Sequence, residues 1–155
     1  MELILWRHAE AEPGEPDIDR ALTGKGMKQA RKMGGWLDRS LPHHCRIIVS
    51  PARRTVQTAD ALGRKYKTSA ALAPDCRTEA ILAAANWPDG REPVLIVGHQ
   101  PTLGRVAALL LAGVEQDWAL RKGSVLWIAR KNLEGSSSNY VKAALGPDLL
   151  CSFSA

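Results

Sequence analysis

Two histidines and three arginines stand just past the ends of apolar runs in this 155-residue chain. Arg7 and His8 follow "LILW", Arg53 and Arg54 follow "RIIV" by way of Ser50-Pro51-Ala52, and His99 follows "VLIVG". Guanidinium groups grip phosphoryl oxygens in bidentate fashion and stay charged, as a transferring phosphoryl group needs around its equatorial oxygens. A neutral imidazole with one nitrogen held by a hydrogen bond can attack phosphorus with the other and carry the group covalently. This set suits a tetrahedral dianion far better than a carbonyl substrate. Taken singly, each residue has a plainer reading: an Arg-His pair past a strand is usually a surface feature, and a lone His99 is more often a core histidine or a helix cap. Three strand ends carrying compatible chemistry reverse those odds.

The elements that must position these residues are legible in the pattern. Residues 2–6, "ELILW", read as a short buried strand followed by a polar, Pro-rich loop. Thr23 is a candidate N-cap for a helix reaching about Ser40, with Met27, Ala30, Met33, Leu37 and Leu41 as its apolar stripe. Gly34-Gly35 should weaken that helix by about 1 kcal/mol each relative to alanine. "RIIV" is a second strand. Ser50-Pro51 has the chemistry of an N-cap followed by proline at the first helical position, opening a helix striped by Ala52, Val56, Ala59 and Leu62 or Gly63. "KYKTSAAL" returns the chain toward the sheet, "TEAILAAAN" is a short third helix, and "EPVLIVGH" is the clearest strand, apolar throughout as a strand covered on both faces should be. Gln100-Pro101 opens a helix through "TLGRVAALLLAG". "SVLWIAR" and "YVKAAL", joined by a turn "LEGSSSN", read as an antiparallel hairpin, and the tail "GPDLLCSFSA" is expected to be partly mobile.

Strands alternating with helices and then a hairpin imply a single α/β domain over residues 1–155, a three-layer αβα sandwich with a mainly parallel central sheet and an antiparallel C-terminal hairpin. In such sheets the ligand crevice lies outside the carboxyl ends of the strands, so the three strand ends are expected to converge.

Composition narrows the partners. The net charge is +5, but the basic residues are scattered in pairs such as Arg31-Lys32 and Arg121-Lys122, and aromatics make up only 5% of the chain, so a nucleic-acid platform is not expected. No apolar run approaches the roughly 20 residues of a membrane span, and the N-terminus lacks a basic n-region and long apolar h-region; a cytoplasmic protein is expected. Cys45, Cys76 and Cys151 are scattered without a CxxC pair and read as reduced thiols. His43-His44-Cys45 has no partner ligands at metal-binding spacing, and "GKG" at 24–26 lacks the spacing of a P-loop; neither a metal nor a cofactor is expected.

The segments "LWRHAEAE", "LTGKG", "SPARRTVQTA" and "VLIVGHQPTLG", in this order over residues 2 to about 112, resemble the histidine phosphatase superfamily. The short chain without a cap insertion is most similar to its SixA-type phosphohistidine phosphatases. The resemblance implies a phosphoglycerate mutase-like fold and a metal-independent phosphatase in which His8 is the nucleophile, Arg7 and Arg54 clamp the phosphate and His99 donates to it. Arg54 is chosen over Arg53 because the family places its arginine four residues after the serine and three before the glutamine, here Ser50 and Gln57. Ala9 stands where most relatives have glycine, a change that is tolerated if φ stays negative there. Gly14 replaces the asparagine of many mutase-like members, which weakens a mutase reading.

A general acid is hard to find. Glu79 lies at roughly the family distance past Arg54 but without the surrounding glycines, which argues against that role. Phosphohistidine expels an imidazole, whose conjugate acid has a pKa near 6.5, and can dispense with an acid that an alkyl ester needs. Only residues 55–98 separate Arg54 from His99, too few for a lid, and an open mouth suits a histidine displayed on another protein. The expectation is a monomeric phosphatase acting on a phosphohistidine-bearing protein and releasing inorganic phosphate. The alternatives are a small-molecule monoester phosphatase with Glu79 as acid, and a non-catalytic phosphate-recognition module.

Overall fold

The computed structural model describes residues 1–151. Strand β1 (Glu2–Arg7) is followed by α1 (Gly24–Ser40), β2 (Arg46–Val49), α2 (Arg53–Asp60), a two-residue β3 (Lys67–Thr68), α3 (Thr78–Ala84), β4 (Val94–Gly98) and α4 (Thr102–Ala112). A hairpin of β5 (Val125–Leu133) and β6 (Ser136–Leu145) completes it, with short 3-10 turns at Asp17–Asp19, Ala70–Leu72 and Pro147–Leu149. The six strands form one sheet in the order β3-β2-β4-β1-β5-β6. β3, β2, β4 and β1 run parallel, whereas β5 is antiparallel to β1 and to β6. The mainly parallel sheet and C-terminal antiparallel hairpin expected from the sequence are thus observed.

Side chains alternate across a strand, and both faces of this sheet are covered. Leu3 and Leu5 of β1 join Ile48, Val94 and Ile96 against Ile81 of α3 and Leu103 and Val106 of α4. Ile4 and Trp6 point the other way and join Ile47, Val49, Leu95 and Val97 against Met33 and Leu37 of α1 and Ala59 of α2. Two apolar cores, one per face, make the sandwich.

Helix α1 starts as its sequence suggests: Thr23 Oγ1 accepts from Gly26 N–H at 2.9 Å. Its glycines have different reasons to be there. A Cβ on Gly26 would collide with the carbonyl oxygen of Glu10, and one on Gly34 would lie 2.6 Å from the carbonyl oxygen of Ala61, so both permit close backbone approach. At Gly35 the nearest group is the far end of the Arg39 side chain, 3.4 Å away.

Three local expectations need correction. Helix α2 begins at Arg53 with Ala52 as its cap residue and no side-chain cap, so Ser50 and Pro51 precede the helix rather than open it. Pro101 is the cap residue of α4, one position before its first helical residue. The hairpin turn is much shorter than "LEGSSSN": Leu133 pairs with Ser136, and Gly135 at φ +77° makes a two-residue turn that leaves the serines inside β6 on exposed strand positions. Of the tail expected to be mobile, Pro147 is buried, and residues 152–155 lie outside the described residues. Among the described residues no helix is long and apolar enough to cross a membrane.

The two kinds of glycine in α1 should separate in a stability measurement. Gly26→Ala is expected to destabilise by about 1–3 kcal/mol through overpacking, and Gly35→Ala to be neutral or stabilising by up to about 1 kcal/mol through helix propensity. Urea denaturation of both variants checks this, and equal effects would contradict the close-approach account.

Candidate active site

Strands β2, β4 and β1 are adjacent and parallel, so their carboxyl ends share one edge of the sheet. Backbone bonds continue the ladder past the strands: His8 N–H donates to Gly98 O at 3.1 Å and Ser50 N–H to Val97 O at 3.0 Å. The side chains that follow the strands therefore emerge together. Arg7, His8, Arg54 and His99 line one cleft of about 300 Å³, with Asp17 and Arg20 on its rim. The two imidazole rings lie 5.4 Å apart, centroid to centroid.

His8 is buried, and its Nδ1–H donates to the carbonyl of Ala9 at 2.7 Å. A carbonyl can only accept, so the neutral ring carries its proton on Nδ1 and keeps its lone pair on Nε2. His99 is buried as well, with Nε2 2.7 Å from Ser50 Oγ. That hydroxyl accepts from Ala52 N–H at 3.3 Å and keeps a second lone pair and its own proton, so it can pair with either tautomer of His99. With the ring proton on Nδ1, that N–H is a donor with no partner among the described residues.

Arg54 is buried, while Arg53 is exposed. The Arg54 guanidinium donates to the Asp17 carbonyl at 2.9 Å and pairs with the Asp17 carboxylate at 3.1 Å. Arg7 Nη1 donates to Leu120 O at 2.8 Å. The Nε atoms of both arginines are buried without a partner among the described residues, so each retains a donor in reserve.

The charges act on one another. Burial, and then the nearby Arg54, Arg7 and Arg20, push the His8 imidazole down to about 4 even though its bond to Ala9 works the other way. Burial, Arg54 and His8 push His99 down to about 3. Both rings are therefore neutral near pH 7. Partial desolvation of the Asp17 carboxyl acts to raise it, but its bonds to Arg54 and Arg20 prevail and hold it below its ordinary value.

The rest of "SPARRTVQTA" positions the site. Thr58 Oγ1 accepts from Ala9 N–H at 3.1 Å and donates to the Arg54 carbonyl, tying the residue after His8 to α2. Gln57 Oε1 accepts from Leu22 N–H at 2.7 Å and secures the approach to α1. Ala9 is fully buried and is not among the positive-φ residues, which meets the condition for alanine to replace glycine there.

Sequence reasoning missed Arg20, Asp17 and the role of Ser50. Arg20 Nε pairs with Asp17 Oδ1 at 3.0 Å, and only the return of the loop over α2 brings both to the cleft. Two acids and an arginine packed into "PDIDRA" were the available signal. Glu79 is not brought to the site: it is exposed at the start of α3, 3.8 Å from Arg77, and lines a different cleft with Thr102, Arg105 and Glu115. Asp75, at φ 68°, is the carboxylate that α3's leading loop contributes to the His8 cleft.

Known proteins share this chain's sequence pattern and fold. The sequence model of the Histidine phosphatase superfamily (branch 1) matches residues 3–79. Phosphohistidine phosphatase SixA of Escherichia coli K12 is 30% identical over 122 residues, covering 73% of this chain and 76% of that one. The chain belongs to the histidine phosphatase superfamily. An uncharacterized protein of Mycobacterium tuberculosis is 33% identical over 111 residues, 67% of this chain and 68% of that one. In fold, the chain resembles the protein histidine phosphatase SixA complexed with tungstate, with a TM-score of 0.77 at 23% identity over 96% of this chain and 99% of the other. A putative phosphohistidine phosphatase SixA from Nakamurella multipartitia follows this superfamily fold too, with a TM-score of 0.74 at 25% identity over 94% and 95% of the two chains.

The lowered histidines link stability to pH. Between about pH 6.5 and about pH 4 the unfolded chain takes up protons that the folded imidazoles refuse, so stability present above pH 6.5 is lost as pH falls. The loss by about pH 4 should be on the order of 3 kcal/mol for each histidine. Denaturation curves of the wild type and of His8→Gln/His99→Gln across this range test it. A wild-type slope no steeper than that of the double variant would contradict it.

Proposed function

We propose that this chain is a phosphohistidine phosphatase that takes phosphate from a protein-borne phosphohistidine through a covalent phospho-His8. The observation that carries the reading is the state of His8: neutral, with Nδ1–H tied to Ala9 O, and Nε2 left as the nucleophilic nitrogen in a cleft walled by Arg7 and Arg54. The 30% identity to Phosphohistidine phosphatase SixA supports the substrate class.

In the first step His8 Nε2 attacks phosphorus, a new P–N bond forms and the substrate's P–N bond breaks. The departing imidazole takes a proton from solvent. Arg7 and Arg54 stabilise the charge on the equatorial oxygens through guanidinium donors, including the two buried Nε–H groups, and His99 contributes its Nδ1–H. In the second step water attacks phospho-His8, releasing inorganic phosphate and restoring the neutral ring. The imidazole leaving group needs no carboxylic acid, in keeping with the outward position of Glu79. The enzyme needs no metal or cofactor in this scheme and works as a cytoplasmic monomer, with residues 1–155 forming the catalytic domain.

With a phosphohistidine-bearing protein in EDTA, phosphate release is expected to persist, and His8→Ala to lower kcat/KM by at least about a thousandfold. Acid-labile label from the substrate should be trapped on the wild type only. A His8→Ala rate equal to wild type would overturn the nucleophile assignment. Glu79→Gln is expected to leave rates on alkyl and aryl phosphates unchanged; a selective loss on the alkyl ester would restore the small-ester reading with Glu79 as acid.

A further inference from the structure

A larger cleft, of about 560 Å³, opens beside the one over His8 and shares Arg7 and Lys122 with it. One wall is a face of α1. Lys25, Lys28 and Lys32 are spaced three and four residues apart, which places them in one row along the helix. Arg121 and Lys122 line the cleft from the loop that leads into β5.

The turn carrying Arg121 and Lys122 is fastened to the end of β1. Trp6 Nε1–H donates to Gly123 O at 3.1 Å, Arg7 N–H to Ser124 O at 3.1 Å, and Gly123 N–H to His8 O at 3.0 Å. The groove is thereby held in fixed relation to His8, and a ligand in it can reach the phosphoryl site without a gap. Among the described residues its lining contains no aromatic side chain, so these residues offer no stacking platform for bases. Glu10 and Asp148 also line it, which penalises a uniform polyanion and favours acidic groups placed only opposite the cations.

We propose that this groove docks an acidic surface segment of the substrate protein, reading carboxylates that flank the phosphorylated histidine while the phosphoryl group occupies the His8 cleft. This rests on the phosphohistidine reading of that cleft. Exposed lysines contribute little singly, but a row of them in one cleft with two further cations raises encounter rate and selects against neutral or basic partners.

Binding and turnover test it separately. The binding probe is an unphosphorylated peptide with Asp and Glu on both sides of a histidine, measured by fluorescence anisotropy against the same peptide with Asn and Gln. The acidic peptide should bind about tenfold more tightly, and that preference should vanish at high salt and in Lys28→Glu/Lys32→Glu. Neither lysine lines the His8 cleft. In turnover, the double variant should lose about tenfold in kcat/KM on the acidic phosphopeptide, chiefly through KM, and be unchanged on free phosphohistidine. Equal binding of the two peptides, or tighter binding of an oligonucleotide or polyphosphate than of the acidic peptide, overturns the docking proposal. Turnover of phosphopeptides regardless of their flanks sinks the groove and leaves the phosphatase reading standing. The expected binding without turnover of any phosphohistidine substrate does the reverse.

Discussion

The arrangement depends on how the backbone at the end of β1 is held. His8 donates its N–H to Gly98 and accepts at its carbonyl from Gly123, so β4 on one side of β1 and the turn leading into β5 on the other grip it one residue past its last paired position. Ala9 then supplies the carbonyl that selects one tautomer of the His8 ring, and its own N–H is tied through Thr58 to the carbonyl of Arg54. In water an imidazole samples both tautomers and all orientations. Here a continuous line of hydrogen bonds runs from the ring to the helix that bears the buried arginine, and the two groups are set relative to each other before any substrate arrives.

That rigidity makes the electrostatics tolerable. Three arginines around a small cleft would be costly if the histidines were charged as well, and burial together with the arginines keeps both rings neutral. Asp17 is the counterweight: its carboxylate binds Arg54 and Arg20 at once and is held ionised by them. The result is a cleft with cationic donors and neutral, nucleophilic nitrogen, the combination that a phosphoryl group rewards. The same bonds that pin β1 also pin the turn at Gly123, so the surrounding surface charge inherits the order of the site.

Much of this was legible because local patterns reported it. β1, β2 and β4 are short apolar runs bounded by polar or turn residues, and a doubly covered parallel strand has few other ways to look. Arg54 could be separated from Arg53 by motif spacing, and burial separates them in the same sense. Ser50 was misread for a physical reason. Serine before proline is a sound cap signal, but capping is decided by where helical geometry starts, and α2 starts two residues further on, freeing the hydroxyl to meet His99. The serine run near the hairpin was misread in the same way, since polar residues on an exposed strand face look like a loop until Glu134 and Gly135 are seen to make the whole turn.

By itself the sequence determined the α/β class, the strand ends and the identity of the residues placed there, because apolar periodicity and N-cap chemistry act over a few neighbouring positions. Only the tertiary structure decided what meets across long separations: Asp17 with Arg54, Ser50 with His99, and Lys25, Lys28 and Lys32 with Arg121 and Lys122. In the chain those cations look like scattered pairs adding up to a net charge of +5. Their convergence follows from the crossing of α1 over a sheet whose last hairpin folds back beside β1, and no local pattern encodes that crossing.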